Sequence, residues 1–215
     1  MQLVVFDLDG TITRRDTLVL YVVGFLRQWP WRWLGLPRIV PAVVRFVFKR
    51  ADHGDLKAAL IKATLGGVTR ARLSGWTGQF VREQLAGGLF SEARAKIDWH
   101  RVNGDRLVLM SASVDLYVPD IGRALGFHET ICTGVQWNGD HLVGNLTTPN
   151  RRGEEKARCF QALQERYPGA QSAAYGNAGS DLPHLRLATQ GYLVNGSASA
   201  RRSAQACGVT CLTWR

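Results

Sequence analysis

The chain has 215 residues, 46 % of them hydrophobic and 20 % charged, which excludes a disordered or fibrous protein and leaves room for one substantial core with a small inserted module. Its 27 Lys and Arg against 17 Asp and Glu give a formal charge of +10, favouring anionic ligands or surfaces. Its longest unbroken apolar run, Leu18 to Leu26, is far shorter than the roughly 20 residues a spanning helix needs, and no signal peptide is read before the first strand, so a cytoplasmic protein is expected.

Gln2 to Phe6 is a short apolar, β-branched run, the pattern of a strand covered on both faces in a parallel sheet. Beyond the Gly10-Thr11 turn, Asp16 is placed to cap a helix running through Val23. From Gln28 to Arg50 the composition changes: Trp29, Trp31 and Trp33 stand among arginines, and three prolines divide the stretch into short helical pieces. Helical periodicity returns at Leu56–Leu65 and Arg72–Leu85, so residues 14–88 read as a mostly helical insertion.

Asp105–Ser113 is then a strand ending in hydroxyls, followed by a helical pattern over Leu116–Leu125. Thr130–Trp137 and His141–Leu146 flank Asn138-Gly139, a strong hairpin signal. A helix over Glu154–Arg166, a strand at Ala170–Tyr175, a short helix near Leu182–Leu187 and strands at Gly191–Val194 and Val209–Leu212 complete the alternation. Such alternation predicts a Rossmann-like, doubly wound parallel α/β sheet with ligands at the carboxyl ends of its strands. The four cysteines form no CxxC pair, and a zinc site over Cys207 and Cys211 is not expected.

The stretch VVFDLDGT, Val4 to Thr11, ends a buried strand on two carboxylates, Asp7 and Asp9, which is unfavourable unless a cation neutralises them. Three further polar clusters fall where this fold would gather them: Ser111 ending LVLMSAS, Lys156 in GEEKARCF, and Asn177 with Asp181 in YGNAGSDLPHL. In this order they resemble the four motifs of the haloacid dehalogenase-like superfamily of phosphohydrolases. The helical insertion after the first motif and the hairpin before the lysine are most similar to its phosphoserine-phosphatase-like branch.

The resemblance implies a Mg²⁺-dependent phosphomonoesterase in which Asp7 attacks phosphorus and becomes an aspartyl phosphate. Asp9 would protonate the leaving alkoxide and then activate water, while Ser111 and Lys156 bind the phosphate. Asp7, the Asp9 backbone carbonyl, Asn177 and Asp181 would hold Mg²⁺. Ala112, Thr11 and Asp16 complete the implied substrate contacts, with turn stabilisation the alternative for Thr11 and helix capping for Asp16. Ser113 reads as a cap of the following helix, and His184 as a surface or packing residue.

One position departs from the pattern: Asn177 stands where the family usually has an aspartate on the metal, so weaker metal binding, or an inactive phosphatase-like binding protein, is the alternative. In the superfamily the insertion acts as a cap, which assigns residues 14–88 to the cap and 1–13 with 89–215 to the catalytic core. The expected substrate is a small phosphate monoester. The Trp/Arg-rich part of the cap leaves open peripheral contact with the inner membrane face and a lipid phosphate such as phosphatidylglycerophosphate as substrate. No nucleic-acid partner is expected, because no recognised binding motif accompanies the charge.

Overall fold

The computed structural model of the chain describes Met1–Arg215. Strand β1 (Leu3–Phe6) is buried at all four positions. Helix α1 (Thr17–Gln28) starts where Asp16 accepts the Val19 amide at 3.0 Å, and it runs five residues past the expected end. A 3-10 stretch (Pro30–Ile39) and the short α2 (Val40–Val47) follow, broken by Pro30, Pro37 and Pro41 as expected. Helix α3 (His53–Leu65) opens on a reciprocal capping box between Asp52 and Asp55, and α4 (Arg70–Glu83) runs into one π turn, Gln84–Gly88. The helical segment leaves and rejoins the core side by side: Thr13 bridges Leu89, and the Phe90 amide donates to the Ile12 carbonyl at 3.0 Å.

The chain continues through α5 (Ser91–Val102), β2 (Arg106–Val114), α6 (Val118–Ala124) and β3 (Glu129–Thr133). A separate hairpin, β4 (Val135–Asn138) with β5 (His141–Leu146), precedes α7 (Glu154–Arg166) and β6 (Ser172–Gly176). Last come α8 (Leu182–Leu185), β7 (Gln190–Val194), α9 (Ala198–Ala206) and β8 (Thr210–Leu212). Six strands form one parallel sheet in the order β3-β2-β1-β6-β7-β8. The order reverses between β1 and β6, and an open α/β sheet forms its crevice at such a reversal.

The period of two sorts the core into layers. Val4, Phe6, Leu109 and Tyr175 face the cluster built with α1, α4, α5 and α6, while Leu3, Val5, Val108 and Met110 face α7, α8 and α9. Burying each such side chain contributes about 1.5–3 kcal/mol relative to exposure, which anchors the strand ends that carry the polar clusters. The hairpin lies flush on α3: a Cβ on Gly144, at φ +92°, would come 2.8 Å from the Lys62 amide nitrogen, so a side chain there would push the two apart. Arg70 seats its guanidinium 4.1 Å from the centre of the Trp137 ring.

Three expectations need correction. The run Thr130–Trp137 is two strands: Glu129–Thr133 pairs in parallel with β2, and only Val135–Asn138 enters the hairpin. Asp115 makes the break, because its amide donates to the Thr133 carbonyl while its carboxylate accepts the Val135 amide. Helices α5 and α9 were not expected. Their buried faces are Ala93, Ile97 and His100, and Ala200 and Ala204, which place few large apolar side chains in the sequence to mark them. His184 is fully buried rather than superficial, so only its packing role stands. The four cysteines are all free thiols.

Candidate active site

The carboxyl ends of β1 and β6 bring Asp7, Asp9, Asn177 and Asp181 to one cavity of about 280 Å³, also lined by Lys156, Ala112 and Asp16. Lys156 lies in the first turn of α7 and is buried between two carboxylates, its Nζ 2.6 Å from Asp7 Oδ1 and 2.8 Å from Asp181 Oδ1. Asp7 Oδ2 accepts the Thr11 hydroxyl at 3.2 Å, and Asp181 Oδ2 accepts the Asn177 and Ala178 amides at 3.0 Å each. Thr11 is fully buried behind Asp7 and does not line the cavity, which is at odds with its expected substrate contact and agrees with the alternative of turn support.

Ser111 is likewise fully buried beneath the loop, where its Oγ accepts the Ser113 amide at 3.0 Å, and the cavity wall at this strand end is made by Ala112 and Ser113 instead. Ser113 does not cap α6: it belongs to β2 and donates its hydroxyl to Asp9 Oδ2 at 2.6 Å. The other Asp9 oxygen accepts both the amide and the hydroxyl of Thr17 at 2.6 Å. Three donors thus orient the Asp9 carboxylate. Asp16 caps α1, as the alternative reading expected, and its side of the helix start also lines the cavity.

Burial pushes the Asp7 carboxyl up to about 7; Lys156 works to lower it, and Asp181 and Asp9 add to the rise. Burial also raises Asp9, against the pull of the Ser113 and Thr17 hydrogen bonds. Asp181 differs: burial raises it, but the Lys156 ammonium and the loop amide hold it at about 2. Burial, reinforced by Lys156, lowers His184 to about 3 and keeps it neutral, and neither ring nitrogen has a protein partner.

Sequence reasoning missed the outer wall. His53, Leu56, Lys57 and Leu60 reach the cavity from α3, and Asn150 and Arg152 reach it from the loop before α7. Lys57 Nζ donates to the Asn150 side-chain oxygen at 2.6 Å and to the Ala112 carbonyl, and burial lowers its ammonium to about 8. The only sequence trace of this contact is a lysine within a helix of the insertion, a pattern shared by ordinary surface lysines.

The donor set suits a hard divalent cation. Four carboxylates, Asp7, Asp9, Asp16 and Asp181, line the cavity with Lys156, and the Asp7 carboxyl is raised chiefly by burial, with Asp181 and Asp9 adding to the rise. No group of three or more His, Cys, Asp or Glu side chains is placed to hold a metal ion by itself; Mg²⁺ keeps several waters and needs few protein oxygens. Gly10, at φ +77°, lets the Asn177 amide approach, since a Cβ there would sit 2.1 Å from Asn177 Nδ2. Gly10→Ala is therefore expected to displace Asn177 and to lower stability by about 1–2 kcal/mol, which a thermal melt measures; an unchanged melting temperature would contradict the close approach.

Fold and site together define a class: a doubly wound α/β protein with carboxylates and one buried lysine converging at the reversal of strand order. The chain belongs to the haloacid dehalogenase-like hydrolase family, whose model matches residues 4–186. It is 33 % identical over 196 residues to the protein CicA of Caulobacter vibrioides, covering 89 % of this chain and 86 % of that protein. It is 26 % identical over 207 residues to a probable phosphatase of Mycobacterium tuberculosis, covering 94 % and 72 %. Its fold is also similar to the crystal structure of a probable phosphoserine phosphatase of Vibrio cholerae, with a TM-score of 0.74, 14 % identity and coverage of 98 % and 59 %.

Proposed function

We propose that this hydrolase is a Mg²⁺-dependent phosphomonoesterase that works through an aspartyl phosphate on Asp7, with residues 14–88 as cap over a core of residues 1–13 and 89–215. The observation that carries the reading is the buried Asp7–Lys156–Asp181 ion cluster beside an Asp9 held by three donors. Similarity to a probable phosphatase supports the reaction class.

In the first half-reaction the Asp7 carboxylate attacks phosphorus in line with the leaving oxygen, and the bond between phosphorus and that oxygen breaks. Asp9 gives its proton to the departing oxygen. Its raised pKa lets it keep that proton to a higher pH than an exposed aspartate does. In the second half Asp9, now ionised, takes a proton from a water as that water attacks phosphorus. The bond to Asp7 breaks, and inorganic phosphate leaves. Lys156 holds the Asp7 carboxylate in place and balances phosphoryl charge throughout.

Asp7, the Asp9 backbone carbonyl, Asn177 and Asp181 would hold Mg²⁺, which supplies positive charge to the phosphoryl oxygens when bound. The small cavity and the cations Lys57 and Arg152 on its wall favour a small phosphorylated metabolite.

The test is inorganic phosphate released from an aryl phosphate and a panel of small monoesters across a Mg²⁺ titration. Release that EDTA abolishes is expected; silence at every Mg²⁺ concentration and substrate would leave a phosphatase-like binding protein. In the same assay Asn177→Asp is expected to lower the Mg²⁺ concentration for half-maximal rate about tenfold, because one carboxylate is added to the donor set. An unchanged or higher requirement would remove Asn177 from the ligand set.

A further inference from the structure

Helix α2 faces the wrong way for a core helix. Val40, Val43, Val44 and Val47 recur at the spacing of one apolar stripe, yet they are 57, 42, 47 and 69 % exposed, and no residue of the helix is buried. Phe48, Leu34 and Trp31, exposed by 70, 82 and 60 %, flank the helix in the chain. So many large apolar side chains left in water over one short stretch mark an interaction surface.

Charge identifies the partner. Between Thr17 and Ala51 the chain carries six basic side chains and no acidic one. Arg38, Arg45, Lys49 and Arg50 are all exposed around the stripe. A second copy of the chain would satisfy the valines but would set two cationic rims against each other. An apolar interior beneath a layer of negative charge satisfies both features, and no helix of the chain is long and apolar enough to cross a membrane.

We propose that the exposed face of α2, with Trp31, Leu34 and Phe48, docks on the surface of an anionic phospholipid bilayer, the valines entering the acyl boundary and the arginines meeting the headgroups. Another side of the same helix adjoins the cavity: Phe46 of α2 packs its ring 4.9 Å from that of His53, which lines it. The surface does not depend on the reaction proposed above.

Co-sedimentation of the whole chain with vesicles tests this, comparing phosphatidylcholine alone with phosphatidylcholine containing about 30 % phosphatidylglycerol, at low and high salt. At least tenfold stronger binding to the anionic vesicles is expected. It should fall at least tenfold in Val44→Asp/Phe48→Asp and, separately, in Arg45→Glu/Lys49→Glu. Circular dichroism and melting temperature of both variants should match the wild type, which keeps the result independent of activity.

Absence of binding to anionic vesicles at low salt overturns the proposal. So does binding that survives Val44→Asp/Phe48→Asp, since only diffuse attraction to a +10 chain would remain. A concentration-dependent dimer abolished by the same pair of substitutions would instead assign the face to a second copy.

Discussion

Asp7→Asn is expected to lower kcat on an aryl phosphate by about 10⁴-fold or more at saturating Mg²⁺, because an amide cannot form the covalent intermediate and the loss falls on every substrate alike. Phosphate release compared between the two proteins across the Mg²⁺ titration checks this, and equal rates would remove Asp7 as nucleophile. The fold should survive. The Asp7 carboxyl is raised by burial from an ordinary 3.8 to about 7, so the folded state holds its proton more tightly than the unfolded one. The stability associated with that group is fully present below about pH 4 and is lost as pH rises through about 7. The neutral amide escapes this loss. In metal-free buffer the melting temperature of Asp7→Asn relative to wild type should therefore rise between pH 5 and about 8, and a relative fall over that window would contradict the assigned shift.

Lys156→Ala should have the larger structural effect. It leaves Asp7 and Asp181 buried without their shared cation, and breaking a buried ion pair by removing one partner costs about 3–5 kcal/mol. For a chain of this size that lowers the melting temperature by roughly 10 °C. The sign of the pH dependence follows from Asp181, held at about 2 in the wild type. A depressed carboxylate contributes stability present above its unfolded pKa and lost as pH falls through the folded one. The deficit of Lys156→Ala is thus greatest near neutrality. It shrinks as pH falls, because the variant's buried carboxyls, no longer lowered by Lys156, already hold protons above the ordinary carboxylate range, and it narrows further below about pH 4, where the wild type loses the stability carried by Asp181. Thermal melts across that range decide it, and a pH-independent deficit would mean that lost packing, not charge, dominates. Turnover should fall together with stability, since the same ammonium orients Asp7 and balances phosphoryl charge.

The two substitutions separate chemistry from architecture at one cluster. Asp7→Asn removes the reacting group and keeps the volume. Lys156→Ala removes the cation that makes the burial of two acids tolerable. An inactive but stable first variant beside a destabilised second is the pattern expected of a nucleophile and its neutralising partner. Two destabilised variants would instead point to an ion cluster whose purpose is structural.

The residues fall into two groups by how they reach the cavity. Asp7, Asp9, Lys156, Asn177 and Asp181 sit at ends of strongly patterned strands or just inside a helix, so local order along the chain already announces them. Their joint order, together with the alternation of apolar runs, was sufficient for the parallel α/β sheet and for the family, because strand period and turn chemistry are written residue by residue. Lys57, Thr17, Ser113, Asn150 and Arg152 carry no such mark. Lys57 meets Asn150 across 93 positions and Ser113 meets Asp9 across 104. Whether a lysine faces solvent or a cavity depends on where its helix lands, and that is settled by packing between elements rather than by spacing within one.

The same division explains the secondary structure. Helices α5 and α9 went unread because they bury alanines, one isoleucine and a histidine rather than a row of large apolar side chains, and the break between β3 and β4 depends on Asp115 from another part of the chain. The outward turn of α2 is a further case: the sequence marks only a short helical piece between prolines, and the tertiary structure leaves its valine stripe uncovered. The sequence by itself thus determined the sheet, the order of the acidic and basic clusters and the family, since each is encoded over a few neighbouring residues. Only the tertiary structure decided which hydroxyls hold Asp9, which cations wall the cavity and which apolar face remains in water, because each of those follows from contacts between residues far apart in the chain.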